Sequence, residues 1–155
     1  MKIKIGGIVD QQNLTMYGIT SLKDKPGSAA EVLNLLAKEN INIEYITEGG
    51  CKHDSATMIF CVDAENAQRV DEIIKKNIEE HAQKIRKCEY VCILGVYGPH
   101  FREKPAIAAH FCQALGEANI NILGLSSSIS TISAIIDIRE HDRALNALMN
   151  VFKLP

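Results

Sequence analysis

The 155-residue chain contains no tryptophan, and only 5% of it is aromatic. Its formal net charge is −2 and its pI lies near 6.2, so it offers neither the stacking side chains nor the basic face that single-stranded nucleic acid needs. Nucleic acid is not an expected partner. No apolar run approaches the roughly 18 residues needed to span a bilayer, and the apolar part of the opening MKIKIGGIV is too short for a signal peptide. No membrane partner is expected either, and the chain reads as cytoplasmic. The chain also lacks any CxxC pair. Cys51, Cys61, Cys88, Cys92 and Cys112 form an odd set, three of them inside apolar strand or helix patterns, which is the usage of buried reduced thiols. Cys51 and His53 make a single Cys-x-His with no second pair, which is too little for a metal centre. Neither metal nor cofactor is expected.

Catalytic signatures are missing as well. Ser126, Ser127 and Ser128 follow Gly124-Leu125, but no closing glycine completes a nucleophile elbow, so these are read as hydroxyls on a strand face. Gly6-Gly7 and Gly95-x-x-Gly98 fit neither a phosphate loop nor a dinucleotide fingerprint and are read as strand bulges. His53, His81, His100, His110 and His141 share no spacing. The chain reads as non-catalytic.

What the chain does have is a repeat. KPGSAAEVLNLLAKENINI, from Lys25 to Ile43, returns as KPAIAAHFCQALGEANINI from Lys104 to Ile122, 79 residues later with nine identities. Ala29, Val32, Leu33 and Leu36 in the first copy become Ala108, Phe111, Cys112 and Leu115 in the second, one apolar stripe on each of two packed helices. Pro26 and Pro105 suit the first helical position.

Strands are expected on either side of each helix: Leu14 to Thr20 and Glu89 to Tyr97 before, Asn42 to Thr47 and Asn121 to Ser127 after. Period-two runs follow, with Ala56, Met58, Phe60 and Val62 on one face in the first half and Ile132, Ala134, Ile136 and Ile138 in the second, each half-buried. A further helix comes next in each half, from about Ala64 behind an Asp63 cap and from about Asp142, with Leu145, Leu148, Met149 and Phe152 on one stripe. The order is βαββα twice. The stretch 82–87 can supply a fourth strand to the first module, whereas the second ends at Pro155 right after its helix. The surplus strand Met1 to Val9, with Ile3, Ile5, Ile8 and Val9, is expected to complete the second module. The fold class is therefore α+β: two ferredoxin-like βαββαβ modules, residues 13–87 inserted into a second module made of 1–12 and 88–155. On this reading, removing residues 1 to 9 destabilises the second module first.

The run GITSLKDKPGSAAEVLNLLAKENINIEYI, followed by VCILGVYGP, KPAIAAHFCQALGEANINILGLSSSISTISAIID and RALNALMNVFKL, resembles the tandem ACT regulatory region of aspartate kinases over nearly the whole chain. The lysine- and glycine-rich catalytic motif of those kinases is absent. The resemblance implies an allosteric amino-acid sensor, binding lysine or threonine for feedback control of aspartate kinase in aspartate-family biosynthesis. It also implies a homodimer and a possible catalytic domain or subunit as partner. The alternative is a free-standing amino-acid-binding ACT protein serving another enzyme or a transcriptional response.

Carried over by position, the ligand site comprises Leu22, Asp24, Lys25, Pro26, Gly27, Ser28 and Ala29 with Asn42, Ile43, Glu44, Thr47 and Glu48; a second, weaker site comprises Asn119, Ile120, Asn121 and Ile122. The chemistry is suitable in itself. Gly27 lets a ligand approach the backbone, unpaired N–H groups at a helix start can hold an α-carboxylate, and Asp24, Glu44 or Glu48 can accept from an ammonium. The same residues also make an ordinary turn and a solvated strand face. Tyr45 is open to two roles, cover for a ligand or core aromatic. Against the family pattern, Pro105-Ala106 replaces a Pro-Gly, Ser128-Ile129-Ser130 replaces Ser-Glu-Ile, and Glu48 stands where threonine-sensitive relatives often have glutamine.

Overall fold

The structure, a computed structural model, describes residues 1–22, 28–50, 56–77, 84–99, 101 and 106–155. It divides into two compact units, one made of Met1–Gln12 with Val91–Pro155 and the other of Asn13–Tyr90. In chain order the elements are β1 (Ile3–Lys4), β2 (Gly7–Leu22), α1 (Ser28–Lys38), β3 (Tyr45–Gly49), β4 (Ala56–Asp63), α2 (Ala67–Asn77), β5 (Lys84–Tyr97), α3 (Ile107–Glu117), β6 (Gly124–Ser127), β7 (Thr131–Asp137), α4 (His141–Val151) and β8 (Phe152–Lys153).

The unit Asn13–Tyr90 orders its strands β3-β4-β2-β5. Its core lies between this sheet and the two helices. Tyr17 and Ile19 of β2, Met58, Phe60 and Val62 of β4, Val32 and Leu36 of α1, and Val70 and Ile74 of α2 form one cluster. The spacings are those of one strand face and one helix stripe, so each element has a single way to bury its apolar side. The Tyr17 and Phe60 rings stack with centroids 5.4 Å apart. The other unit repeats the plan with β6-β7-β5 and the Gly7–Gln12 part of β2. Its cluster holds Cys92, Leu94, Val96, Phe111, Leu115, Ile132, Ala134, Ile136, Ala144 and Leu148.

Several expectations change in detail. The segments Met1–Val9 and Leu14–Thr20 are not separate strands: β2 runs unbroken for 16 residues through Asn13, which takes φ 63°. In the same way 84–87 and Glu89–Tyr97 are one 14-residue strand through Tyr90, φ 60°. The second module does have a terminal strand. Phe152 leaves the helix stripe and enters β8, which pairs in parallel with β1 through Ile3↔Phe152 and Lys4↔Lys153. Ala108 is exposed, and Ile107 takes its place in the buried stripe of α3. The second faces of β4 and β7 carry Thr57, Asp63, Thr131, Ser133 and Asp137, but Cys61 and Ile135 on the same faces are fully buried. Ile138 lies beyond β7 in a short 3-10 turn.

Gly95 does not mark a bulge either. β5 pairs with β7 without a shift from Val91↔Asp137 to Tyr97↔Thr131, and a Cβ on Gly95 would lie 2.5 Å from the Ile132 carbonyl oxygen. Close backbone approach, not an extra residue, demands glycine there. The Asp63 cap does form, accepting from the Glu65 N–H at 2.9 Å, but it caps a 3-10 turn that leads into α2. Asp137 does the same for Arg139 ahead of α4. Pro26 and Pro105 lie outside the described residues.

Candidate functional site

The repeated Asn-Ile-Asn-Ile is first of all a helix stop. Asn40 and Asn119 take φ 56° and 58°, the left-handed conformation that asparagine tolerates at a helix end. The Ile41 N–H reaches back to the Leu36 carbonyl at 3.0 Å and the Ile120 N–H to that of Leu115 at 2.9 Å. Both isoleucines are buried. Within the second candidate set, Asn119 thus ends α3 and Ile120 fills the core, while Asn121 is exposed and Ile122 packs against the core from its edge.

The first set is built on two pieces. The turn residues Asp24, Lys25, Pro26 and Gly27 lie outside the described residues; Leu22 ends β2 and Ser28 opens α1. Ala29, one residue into the helix, packs against the core. The second piece is the approach to β3 and the strand itself. Asn42 is exposed, Ile43 is half-buried against the core, and the Glu44 N–H donates to the Cys61 carbonyl at 2.9 Å while its side chain stays exposed. Thr47 is half-buried opposite Ile59, and Glu48 is exposed opposite Met58.

Among the described residues β3 is the outer strand of its unit, pairing on one side with β4. Strand alternation places Glu48 and Ile46 on the face of Met58 and Phe60, which is the face that carries α1 and α2. Glu48 and the start of α1 therefore stand on one side of the sheet. Carboxylate oxygens and helix-start N–H groups together match the two charges of a zwitterionic amino acid. Tyr45, on the opposite face beside Cys61, is buried, so of its two roles it takes that of a core aromatic. Burial first and Cys61 second push its phenol up to about 12. Among the described residues its hydroxyl finds no hydrogen-bond partner.

The corresponding strand β6 is built differently. The Leu123 N–H donates to Ile135 as Glu44 does to Cys61, so Leu123, Gly124, Ser126 and Ser127 stand where the first module has Glu44, Tyr45, Thr47 and Glu48. Neither carboxylate is repeated.

Two polar joints escaped the sequence reading. The Tyr17 hydroxyl donates toward the Asp71 carboxylate at 2.7 Å and the Ala67 carbonyl at 2.9 Å, and Lys87 meets the other Asp71 oxygen at 2.7 Å. Burial and the Asp71 hydrogen bond raise the Tyr17 phenol far above its usual range, so it stays a donor. In the other unit His141 sits between Asp10 and Asp142. Among the thiols, Cys61 and Cys92 are buried and pushed up to about 12 and about 11, chiefly by burial, as inert thiols are. Cys51 and His53 lie outside the described residues. No helix among the described residues is long and apolar enough to cross a membrane.

Two matches to family models cover most of this architecture, both described as the ACT domain, over residues 19–79 and 94–152. The chain belongs to the ACT-domain family, as two ACT modules in tandem. It is 30% identical over 151 residues to an aspartokinase of Mycolicibacterium smegmatis, covering 96% of this chain and 36% of that protein. It is 26% identical to a chain in a crystal structure of aspartokinase alpha and beta subunits, with TM-score 0.84 and coverage of 95% and 97%. The regulatory subunit of aspartate kinase from Thermus thermophilus, in its ligand-free form, shares the fold with TM-score 0.84 at 24% identity, covering 96% of this chain and 99% of that one. The chain thus spans about a third of the length of the curated aspartokinases it matches. These 155 residues are ACT-only, without the kinase domain of those enzymes.

Proposed function

We propose that the chain is the amino-acid-sensing regulatory part of an aspartokinase, in which an end-product amino acid, lysine or threonine, binds at the first module and biases a catalytic partner. The observation that carries this reading is the similarity to aspartokinases over 96% of the chain. The contrast between β3 and β6 supports placing the effector at the first module, because the carboxylates of Glu44 and Glu48 have no counterpart at Leu123 and Ser127. The site on this reading is Leu22, Asp24, Lys25, Pro26, Gly27, Ser28 and Ala29 with Asn42, Ile43, Glu44, Thr47 and Glu48. A homodimer in the cytoplasm belongs to the same proposal, as does the insertion of residues 13–87 into a module made of 1–12 and 88–155. Regulation then amounts to differential effector affinity for two states of the assembly.

Thermal unfolding of the pure chain against each of the twenty amino acids tests the reading. A ligand specific for the native state, at a hundredfold excess over its dissociation constant, stabilises by about 2.7 kcal/mol and raises the midpoint. Lysine or threonine is expected to do so in the wild type and to lose the effect in Asp24→Ala and Gly27→Val, with circular dichroism unchanged. Wild-type affinity in both variants would remove the site, and stabilisation by an unrelated amino acid alone would remove the aspartokinase effector.

A further inference from the structure

The imidazole of His141 stands at the first residue of α4 with a carboxylate on each side. Its Nε2 lies 3.0 Å from both oxygens of Asp10, in β2, and its Nδ1 lies 2.9 Å from Asp142 in its own helix. The side chain is 12% exposed. The Gln12 amide, 3.2 Å from Nε2 and 3.3 Å from Asp10, closes the cluster. A neutral imidazole has one N–H and one lone pair, so it can satisfy only one of these carboxylates and turns a lone pair on the other. The imidazolium donates to both. The arrangement is complete only with the proton on, although the α4 N-terminus by itself disfavours a cation.

We propose that His141 is a protonation-dependent clamp that fixes the Gly7–Gln12 part of β2 to α4. It goes beyond effector binding, since every group belongs to the unit Met1–Gln12 with Val91–Pro155. Among the described residues the charged and titratable surroundings are these. From β2 there is Asp10; from α4 there are Asp142 and Arg143, the latter held by Glu140; from the turn before α4 there is Asp137, paired with Arg139; from β5 there is the buried Cys92 thiol. Asp10 and Asp142 are the two that touch the ring. Asp10 lies three residues before Asn13, where β2 passes into the other unit, so the clamp holds the strand close to that crossing.

The hydrogen bond to Asp142, and after it that to Asp10, hold the imidazole above its ordinary value against the lowering effect of burial. A raised folded value contributes stability that is fully present below the unfolded value, about 6.5, and is lost as the pH rises through the folded one. Amide exchange of residues 8–12, corrected for intrinsic rates, is therefore expected to quicken about tenfold between about pH 6 and about pH 9 in the full chain. His141→Gln and Asp10→Asn should both flatten that dependence, and the His141 ring should titrate above its ordinary value by NMR. A flat wild-type profile, an unchanged slope in Asp10→Asn, or a ring titrating at or below the ordinary histidine value overturns the clamp.

Discussion

Both modules carry a charged joint between the second helix and the fourth strand, about one helical turn apart and with opposite arrangements of charge. In the unit Asn13–Tyr90 the second helix offers the acid and the fourth strand the base, Asp71 of α2 against Lys87 of β5 at 2.7 Å. In the other unit the second helix offers His141 and the strand in the fourth position offers Asp10. A partly exposed pair such as Asp71–Lys87 stabilises by about 0–1 kcal/mol, so the polarity of such a joint is lightly constrained. What lies behind each pair differs more. Asp71 continues inward to the buried Tyr17 hydroxyl, whereas the corresponding positions of the other unit, Leu94 and Leu145, are apolar members of the core. One module anchors its helix by a polar relay and the other by packing.

The largest expected difference lies in a glycine that both modules share. Gly18 pairs with Ile59 and Gly95 with Ser133, equivalent places on the first strand of each module. A Cβ on Gly18 meets nothing nearer than the Arg86 Cβ at 3.9 Å, whereas on Gly95 it would strike the Ile132 backbone oxygen and the Ser133 Cβ, 2.8 Å away. Gly95→Ala should destabilise by about 1–3 kcal/mol, as overpacking does. Gly18→Ala should be neutral or stabilise by about 0.5 kcal/mol through the unfolded chain. Urea midpoints of the two variants decide it, and equal midpoints would mean that the two first strands are packed alike.

The relay gives an effect of middle size. Tyr17→Phe and Asp71→Leu should each cost about 1–2 kcal/mol, because each removes the charge-assisted hydrogen bond between the two side chains. Tyr17→Phe with Asp71→Leu rebuilds the joint in the apolar style of the other module and should cost less than the two single changes summed. Additivity within about 0.3 kcal/mol in that double-mutant cycle would show that the two groups act independently.

The parts legible in the sequence were those with a period. Val32, Leu36, Phe111 and Leu115 recur at helical spacing, Met58, Phe60 and Val62 alternate, and each is buried. The two modules followed from the repeat and their ACT character from the family resemblance, and the family models match both. What was not legible depends on partners distant in the chain. Tyr17 and Asp71 are 54 residues apart and Asp10 and His141 are 131 apart, so nothing local marks them as pairs. The sequence suggests separate strands on either side of residues 10–13 and again of residue 88, yet each pair is one strand, with Asn13 and Tyr90 taking positive φ inside it. Gly95 misled for the converse reason: a strand glycine signals either a bulge or a close approach, and only the register with β7 tells which. For the candidate site, the strand β3 half can be placed, while Asp24 to Gly27 lie outside the described residues. One missed feature did have a signal. Asp137 follows Asp63 by 74 residues at the same step before the second helix, and both accept the N–H of the residue two further on.

Those two caps allow the finest test of the comparison. Asp137 also receives the Arg139 guanidinium, with Nη2 at 2.7 Å and Nε at 3.1 Å, whereas the residue at the corresponding place behind Asp63 is Glu65. The Arg139 side chain first and its backbone N–H second lower the Asp137 carboxyl to about 2. A depressed folded value contributes stability that is present above the unfolded value, about 4, and is lost as the pH falls through the folded one. Arg139 is itself mostly exposed, so at neutral pH Arg139→Ala should leave the unfolding midpoint where it is. In acid the same change should move the NMR titration of the Asp137 carboxyl upward toward its ordinary value, and the cap should be lost at a correspondingly higher pH. Glu65→Ala, the matching change in the other module, should leave the acid unfolding of α2 unaltered. If both variants shift acid unfolding by the same amount, net charge and not the arginine controls it, and the two caps are equivalent after all.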